Sequence, residues 1–301
     1  MKHQLIKIEN CPICEGNKFN HFLSVIDHNV SNSLFNVVEC ENCTFKITNP
    51  RPSSKTLPLY YKSSEYISHT SSKKGLFNKA YHIVRKYQLS KKYTLIKKLI
   101  NKNNEPYSIL DIGCGTGDFL NYCQKKGCIV SGVETEEKAA KLARIKYNLT
   151  IDDDINSLMK NNNMKFHVIT LWHVLEHIED INEFTKKVKS LLHKDGYLIL
   201  GLPNNCSYDA KTYKENWFAW DVPIHLSHFN KKNIIALSEK HCFMKPKIFP
   251  LIFDSYYISL LSEKKKGGSI IKGIITGLKS NLLAKRTSEY SSLIYALKKL
   301  K

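Results

Sequence analysis

The segment Ser108-Ile-Leu-Asp-Ile-Gly-Cys-Gly-Thr-Gly-Asp118 constrains this chain more than any other. A short apolar run leads directly into three glycines and then into a helix-forming stretch. This is the junction at which an open, mostly parallel sheet presents a ligand at the carboxyl ends of its strands. The glycine spacing narrows the ligand. The dinucleotide fingerprint needs G-x-G-x-x-G with a pyrophosphate on the helix N-terminus, but in Gly113-Cys-Gly115-Thr-Gly117 the third glycine comes one residue early. Asp111, at the end of the strand, is read as facing the same crevice, where a carboxylate suits a cationic amino-acid ligand better than a pyrophosphate.

From Ser108 onward short apolar runs alternate with amphipathic helical runs, the pattern of a sheet wound with helices on both faces. Strands are predicted at Ser108 to Ile112, Ile129 to Val133, Leu149 to Ile151, Phe166 to Leu171, Tyr197 to Leu202, Lys247 to Phe253 and Ser292 to Leu297. Helices are predicted at Asp118 to Lys126, Glu136 to Tyr147, Ile181 to Leu192 and Lys231 to His241. Residues 254–287 interrupt this order with Ile270, Ile271, Ile274, Ile275, Leu278 and Leu282 at helical spacing, opposite Lys272, Lys279 and Lys285. The spacing predicts an inserted helix whose apolar side packs on the core. Its basic amphipathic character over residues 268–286 also suits peripheral contact with a membrane surface. The fold class is α/β, a doubly wound seven-stranded sheet.

The second strand is followed by Glu134, a carboxylate able to accept both hydroxyls of a ribose, and equally an acid in the first turn of a helix. After the third strand comes Asp152-Asp153-Asp154, of which Asp153 is the candidate acceptor for an adenine amino group. Leu110 to Gly117, Glu134 and the run Phe166-His-Val-Ile-Thr-Leu-Trp-His-Val-Leu-Glu-His-Ile178 together resemble the successive motifs of class I S-adenosylmethionine-dependent methyltransferases over about residues 105–253. Within that class Trp172 to His177, Gly201-Leu-Pro-Asn204 and Trp217 to Phe229 resemble the small-molecule branch that includes ubiquinone-type and sugar methyltransferases. The resemblance implies sheet order 3-2-1-4-5-7-6 with the final strand antiparallel, and S-adenosyl-L-methionine as methyl donor. It also implies that Gly113, Gly115 and Gly117 line the methionine part of the cofactor, with Trp172 and His173 beside it. Glu176 and His177 open the following helical region, where a structural hydrogen bond suits His177 as well as chemistry does.

Nine cysteines in a chain whose start lacks an apolar signal segment are expected to be reduced, which turns attention to metal. Cys11-Pro-Ile-Cys14 and Cys40-Glu-Asn-Cys43 supply four thiolates in two pairs, a structural zinc set that leaves no position for water. The other five read as small apolar fillers. Two short β-like runs, Phe19 to Val25 and Leu34 to Glu39, lie between the pairs. The chain thus divides into a zinc-binding module at 1–48, a helical cover at 49–104 with a helix from Phe77 to Ile100, and a methyltransferase region at 105–301 containing the insertion 254–287.

A two-CxxC module ahead of a class I core resembles the nucleotide-sugar C-methyltransferases, whose metal module covers the active site. Their Glu-His motif stands here as Ile224-His225. The resemblance makes His225 the candidate base. His228 shares its loop, and the cover segment offers phenol or imidazole groups at Tyr60, Tyr61, Tyr66 and His69; Tyr66 is the one chosen. Zinc modules also precede some ribosomal RNA methyltransferases, but those use a histidine among the metal ligands.

The formal net charge of +19 raises nucleic acid as a partner. The lysines are spread in small groups along the whole chain, without an Arg-rich or aromatic-interleaved stretch, and nucleic acid is therefore not the expected partner. No run approaches the ~18 apolar residues of a membrane span, so a cytoplasmic enzyme is expected. The reading is methyl transfer to a small polar acceptor, a sugar or a nucleotide- or lipid-linked glycan intermediate. An RNA methyltransferase that docks RNA on its zinc module and basic surface, and a non-enzymatic cofactor-binding regulator, remain open alternatives.

Overall fold

A computed structural model describes residues 4–61, 76–100, 106–161 and 164–300 of the chain. Five strands come first: β1 (Leu5–Ile6), β2 (Phe19–Ile26), β3 (Leu34–Cys40), β4 (Lys46–Thr48) and β5 (Arg51–Pro52). β2, β3 and β4 form an antiparallel meander, and β1 pairs with β5. The connection between β2 and β3 is fixed by Asp27, whose buried carboxylate accepts from the backbone of Asn29, Val30 and Ser31 at 2.9, 3.1 and 2.8 Å. Such side-chain capture of successive amides is why aspartate favours turns. The helix predicted from Phe77 is α1 (Leu76–Ile100), which packs Tyr93, Leu95, Leu99 and fully buried Ile96 against Ile109 and Phe119.

The central sheet contains β6 (Ser108–Ile112), β7 (Ile129–Val133), β8 (Ile151–Asp152), β9 (Phe166–Trp172), β10 (Leu192–Pro203), β12 (Lys247–Pro250) and β13 (Ser292–Lys298). All five residues of β6 are buried, as a strand covered on both faces requires. The order is β8-β7-β6-β9-β10-β13-β12, with β13 antiparallel to both its neighbours. Counted within this sheet it is 3-2-1-4-5-7-6, the order the resemblance implied. The third strand starts two residues later than predicted, because its ladder with β7 pairs only Ile151 and Asp152.

The helices are α2 (Asp118–Gln124), α3 (Glu137–Tyr147), α4 (Ile155–Asn161), α5 (Ile181–Leu191), α6 (Tyr208–Tyr213), α7 (Lys231–Lys240), α8 (Asp254–Lys265) and α9 (Ile270–Thr287). α5 shows how locally they are written. Asp180 caps it by accepting from Asn182 and Glu183, and Ile181, Thr185, Val188 and Leu191 put one buried stripe on the sheet.

The amino-terminal meander is not separate from this layer. β11 (Ser227–His228) leaves the loop after β10 and pairs with β4, Ser227 opposite Ile47 and His228 opposite Lys46. Phe45 and Ile47 share one apolar core with Phe229 and Leu237, and Asn182 and Lys240 both donate to the carbonyl of Pro12.

The insertion departs from the sequence reading. It is two helices, α8 and α9, and α9 turns its small residues inward: Gly273, Gly277, Ser280, Asn281 and Ala284 are buried. A Cβ on Gly277 would stand 2.9 Å from Cα of Tyr256, so only glycine permits this approach of the two helices. Ile270, Ile271, Ile274, Ile275, Leu278 and Leu282, predicted to pack on the core, are exposed. The reason is the closeness of α8: at that distance the contact face has room for small side chains only. Asp209 ties the hairpin down, accepting from Ser280 at 2.7 Å, Ser291 at 2.6 Å and Trp217 Nε1 at 2.8 Å in a fully buried position. Among the described residues no helix is long and apolar enough to cross a membrane.

Candidate active site

The three loop glycines all lie at positive φ (+69°, +54° and +76°), a region that costs an L-residue about 1–2 kcal/mol. Their surroundings differ. A Cβ on Gly113 would stand 2.5 Å from Val174 Cγ2 and one on Gly117 2.6 Å from Leu149 Cδ1, while one on Gly115 would meet nothing within 4 Å. The loop is clamped at both ends and open in the middle. Glu134, immediately after β7, faces that opening: its carboxylate accepts from the Gly115 amide at 2.7 Å and the Glu136 amide at 2.9 Å. Each oxygen retains lone pairs for ligand hydroxyls.

Asp118 at the head of α2 gathers Thr116 Oγ1, Tyr147 Oη and Arg85 Nη2, each at 2.6 Å, so that α1 is locked over the loop. Burial raises its carboxyl, but these donors outweigh it and hold the pKa below the usual range. Lys92, also on α1, places its ammonium 3.9 Å from the centroid of Trp172. Burial pushes this amine down to about 8 against the pull of Asp254 and Asp111. Asp111 is not at the crevice surface as the sequence suggested. It is buried within the sheet and accepts from Thr170 Oγ1 at 2.5 Å, and burial pushes its carboxyl up to about 7.

β9 delivers the second group of residues. His173 follows it at φ +57°, a strained conformation for a histidine, with Nε2 3.0 Å from Asp254 and Nδ1 3.5 Å from Glu176. Burial works against its charge, but the two carboxylates prevail and hold its pKa up to about 10. Glu176 is 1% exposed, and among the described residues neither of its oxygens has a hydrogen-bond partner. An orphaned buried carboxylate costs several kcal/mol unless charge compensates it. Here burial raises the carboxyl, while His173, His225 and His177 lower it further and leave it ionised.

His177 Nδ1 lies 3.0 Å from the carbonyl of Ile224, and His225 Nδ1 lies 2.9 Å from that of Ala219. Carbonyls only accept, so both Nδ1 atoms carry the proton and both Nε2 atoms hold a bare lone pair. Burial pushes His177 down to about 4, helped by His225, and it depresses His225 against the opposing charge of Glu176. The two rings meet edge to face at 4.7 Å. The acidic neighbour that the sequence lacks at position 224 is thus supplied in space by Glu176. One ligand atom each from Glu176, His177 and His225 lies within 4.8 Å of the others, a donor set able to take a divalent cation.

His228 completes this wall from β11. Its Nε2 donates to Thr48 Oγ1 at 3.1 Å, Thr48 donates on to the His225 carbonyl at 2.6 Å, and burial keeps the imidazole neutral. A narrow cleft runs between Glu176, Asn205, Trp217, His225 and His228. Tyr61 reaches His177 Nδ1 at 3.1 Å, so residues before and after the sheet close on one place.

The four predicted metal ligands converge. Cys11 and Cys43 stand 3.5 Å apart, as do Cys14 and Cys40, and all four sulfurs lie within 4.8 Å of one another. Disulfides need about 2.05 Å, whereas a tetrahedral Zn–S bond of about 2.3 Å sets sulfurs about 3.8 Å apart. The set fits a metal ion.

The structure brings Gly113, Gly115, Gly117, Glu134, Trp172 and His173 around one end of the sheet and His225 and His228 beside them. Asp153 is 80% exposed and pairs with Arg144 at 2.7 Å. Tyr66 and His69 lie outside the described residues. Sequence reasoning passed over Glu176 as a site residue, and also Asp118, Lys92 and Asp254. Glu176 carried a signal, an acid-histidine pair just after a strand end; Asp254 carried none, because only the insertion brings it to His173.

A model of the family described as "Methyltransferase domain" matches residues 81–241. The ubiquinone biosynthesis O-methyltransferase of Pelagibacter ubique is 33% identical over 149 residues, 44% of this chain and 62% of that protein. Its namesake from Bartonella quintana is 30% identical over 125 residues, 40% of this chain and 47% of that protein. The chain spans about half the length of the curated relatives it matches. Magnesium protoporphyrin IX methyltransferase of Synechocystis PCC 6803, solved with bound SAH, shares the fold at a TM-score of 0.51 and 15% identity, covering 82% of this chain and all of that one. With more than half of its residues matched by the family model, the chain belongs to the methyltransferase-domain family.

Proposed function

We propose that this protein transfers a methyl group from S-adenosyl-L-methionine to a small polar acceptor, a sugar or a nucleotide- or lipid-linked glycan intermediate. The observation that carries the reading is the placement of His225, with a bare Nε2, close to the buried, ionised Glu176, whose charge is also faced by His173 at 3.5 Å, at the end of the sheet that bears the glycine loop. The open middle of that loop and the Glu134 carboxylate suit the cofactor's backbone approach and ribose hydroxyls. When bound, the cofactor supplies an electrophilic sulfonium methyl.

The chain's own residues align the acceptor and handle its proton. His225 Nε2 takes the proton from the acceptor atom. The Ala219 carbonyl fixes the ring's tautomer, and Glu176 stabilises the resulting imidazolium, the part played by the orienting carboxylate in a catalytic triad. His228 and Thr48 hold the loop that carries His225. Asp153 is retained as the adenine contact and Tyr66 as a group offered from the cover. Zinc at Cys11, Cys14, Cys40 and Cys43 holds the meander that pairs with β11. The divisions at 1–48 for the zinc module, 49–104 for the cover and 105–301 for the catalytic layer belong to this proposal.

The relatives named for ubiquinone biosynthesis support a second reading, in which the acceptor is an intermediate of that kind. A screen of nucleotide sugars, ubiquinone-type intermediates and RNA with isotopically labelled S-adenosylmethionine separates these readings. Label in a nucleotide sugar, abolished in His225→Ala while cofactor binding persists, supports the proposal. Label in a ubiquinone-type intermediate or RNA alone, or undiminished turnover in His225→Ala, overturns it.

A further inference from the structure

α9 is amphipathic in the wrong sense for a helix whose task is to fill a core. Its buried residues are glycine, serine, asparagine and alanine, while Ile270 and Ile271 are 69% and 70% exposed and Ile274, Ile275, Leu278 and Leu282 each between 46% and 51%. At 100° per residue, Ile271, Ile274, Ile275, Leu278 and Leu282 fall in one stripe about 100° wide. Lys272, Lys279 and Arg286, seven residues apart, run along one edge of that stripe and are likewise exposed. Between residues 264 and 288 the chain has seven Lys or Arg and no Asp or Glu.

We propose that α9 is an interfacial element that lays its aliphatic stripe into an anionic lipid bilayer. Large aliphatic side chains held out in water by a rigid hairpin gain by entering an acyl boundary, and a basic row at the headgroup level gains by facing anionic lipid. A second copy of the chain fits the same surface poorly. A two-fold pairing of the stripe brings each basic row against an equally basic segment, with no acid on either to answer it. The hairpin is also continuous with the candidate site, because α8 begins at Asp254, which holds His173 at 3.0 Å. The surface stands independently of which molecule accepts the methyl group.

The test is co-sedimentation of the full chain with vesicles of phosphatidylcholine alone and of phosphatidylcholine with phosphatidylglycerol, at low and high salt. The expected result is partitioning onto the anionic vesicles at least about tenfold above that onto the neutral ones, weakened by salt. The pair Ile271→Glu/Leu278→Glu and, separately, the pair Lys272→Glu/Lys279→Glu each reduce it by about tenfold or more, with circular dichroism unchanged because all four positions are exposed. Equal binding by wild type and the Ile271→Glu/Leu278→Glu pair overturns the proposal. So does a wild-type protein that stays in the supernatant with anionic vesicles, or a concentration-dependent dimer in analytical ultracentrifugation that the same pair dissolves.

Discussion

The glycine loop and the histidine cluster lie at the same end of one sheet, yet they are built in different ways. The loop side is assembled from neighbours in sequence: strand, three glycines, helix, and an acid after the next strand, each close enough to be read as a motif. The histidine side is assembled from distant parts of the chain, with His173 and Glu176 after β9, Asp254 from the insertion, His225 and His228 from the loop after β10, and Thr48 and Tyr61 from before the sheet. A local site tolerates remote change. A composite one fails when any contributor moves.

Removing the metal ligands tests that difference most severely. Cys40→Ser, or extraction with a strong chelator, deletes an interaction that in zinc peptides is worth on the order of 10 kcal/mol. The meander should unfold and release β11, abolishing turnover, while calorimetry still detects cofactor binding at the glycine loop. Loss of both together erases the distinction between the two sides. Glu176→Gln comes next: turnover on an identified acceptor should fall about 100-fold, with cofactor affinity unchanged and the acid limb of the rate profile displaced to lower pH, because the Glu176 charge that raises the His225 pKa is gone. Glu134→Ala is its counterpart on the loop side. Losing a charge-assisted bond of about 1.5–3 kcal/mol should weaken cofactor affinity about 10- to 100-fold and leave saturated turnover close to wild type. The smallest effect is on stability against pH. Folded His177 binds fewer protons than unfolded between about 4 and 6.5, so stability falls as acid is added through that window. Folded His173 binds more between 6.5 and about 10, so its contribution shrinks as pH rises there, modestly because 39% of its side chain remains exposed. Thermal melting should be highest near pH 6.5, and Asp254→Asn should flatten the alkaline side by a few degrees.

The same contrast explains what was legible. Sheet order, strand positions and the glycine loop followed from periodicity and from a resemblance carried by contiguous residues. Edges moved where the ladder with a neighbouring strand decided them, as at Leu149, which lies before the first residue paired with β7. The inverted face of α9 could not be read, because helical spacing reports that a face is apolar and not which face the neighbouring helix can reach. Asp111 looked like a crevice carboxylate because it ends a strand, yet Thr170 on the adjacent strand and the surrounding core enclose it.

By itself the sequence determined a doubly wound sheet with a glycine-lined opening at its carboxyl end and four cysteines in two pairs of metal-ligand spacing, since each rests on residues within a turn or a strand of one another. Only the tertiary structure decided that Glu176 stands beside His225, that the amino-terminal meander pairs with His228, and that α9 shows its aliphatic side to the outside. Those outcomes depend on burial and on approach distances between segments many residues apart, quantities that no local pattern encodes.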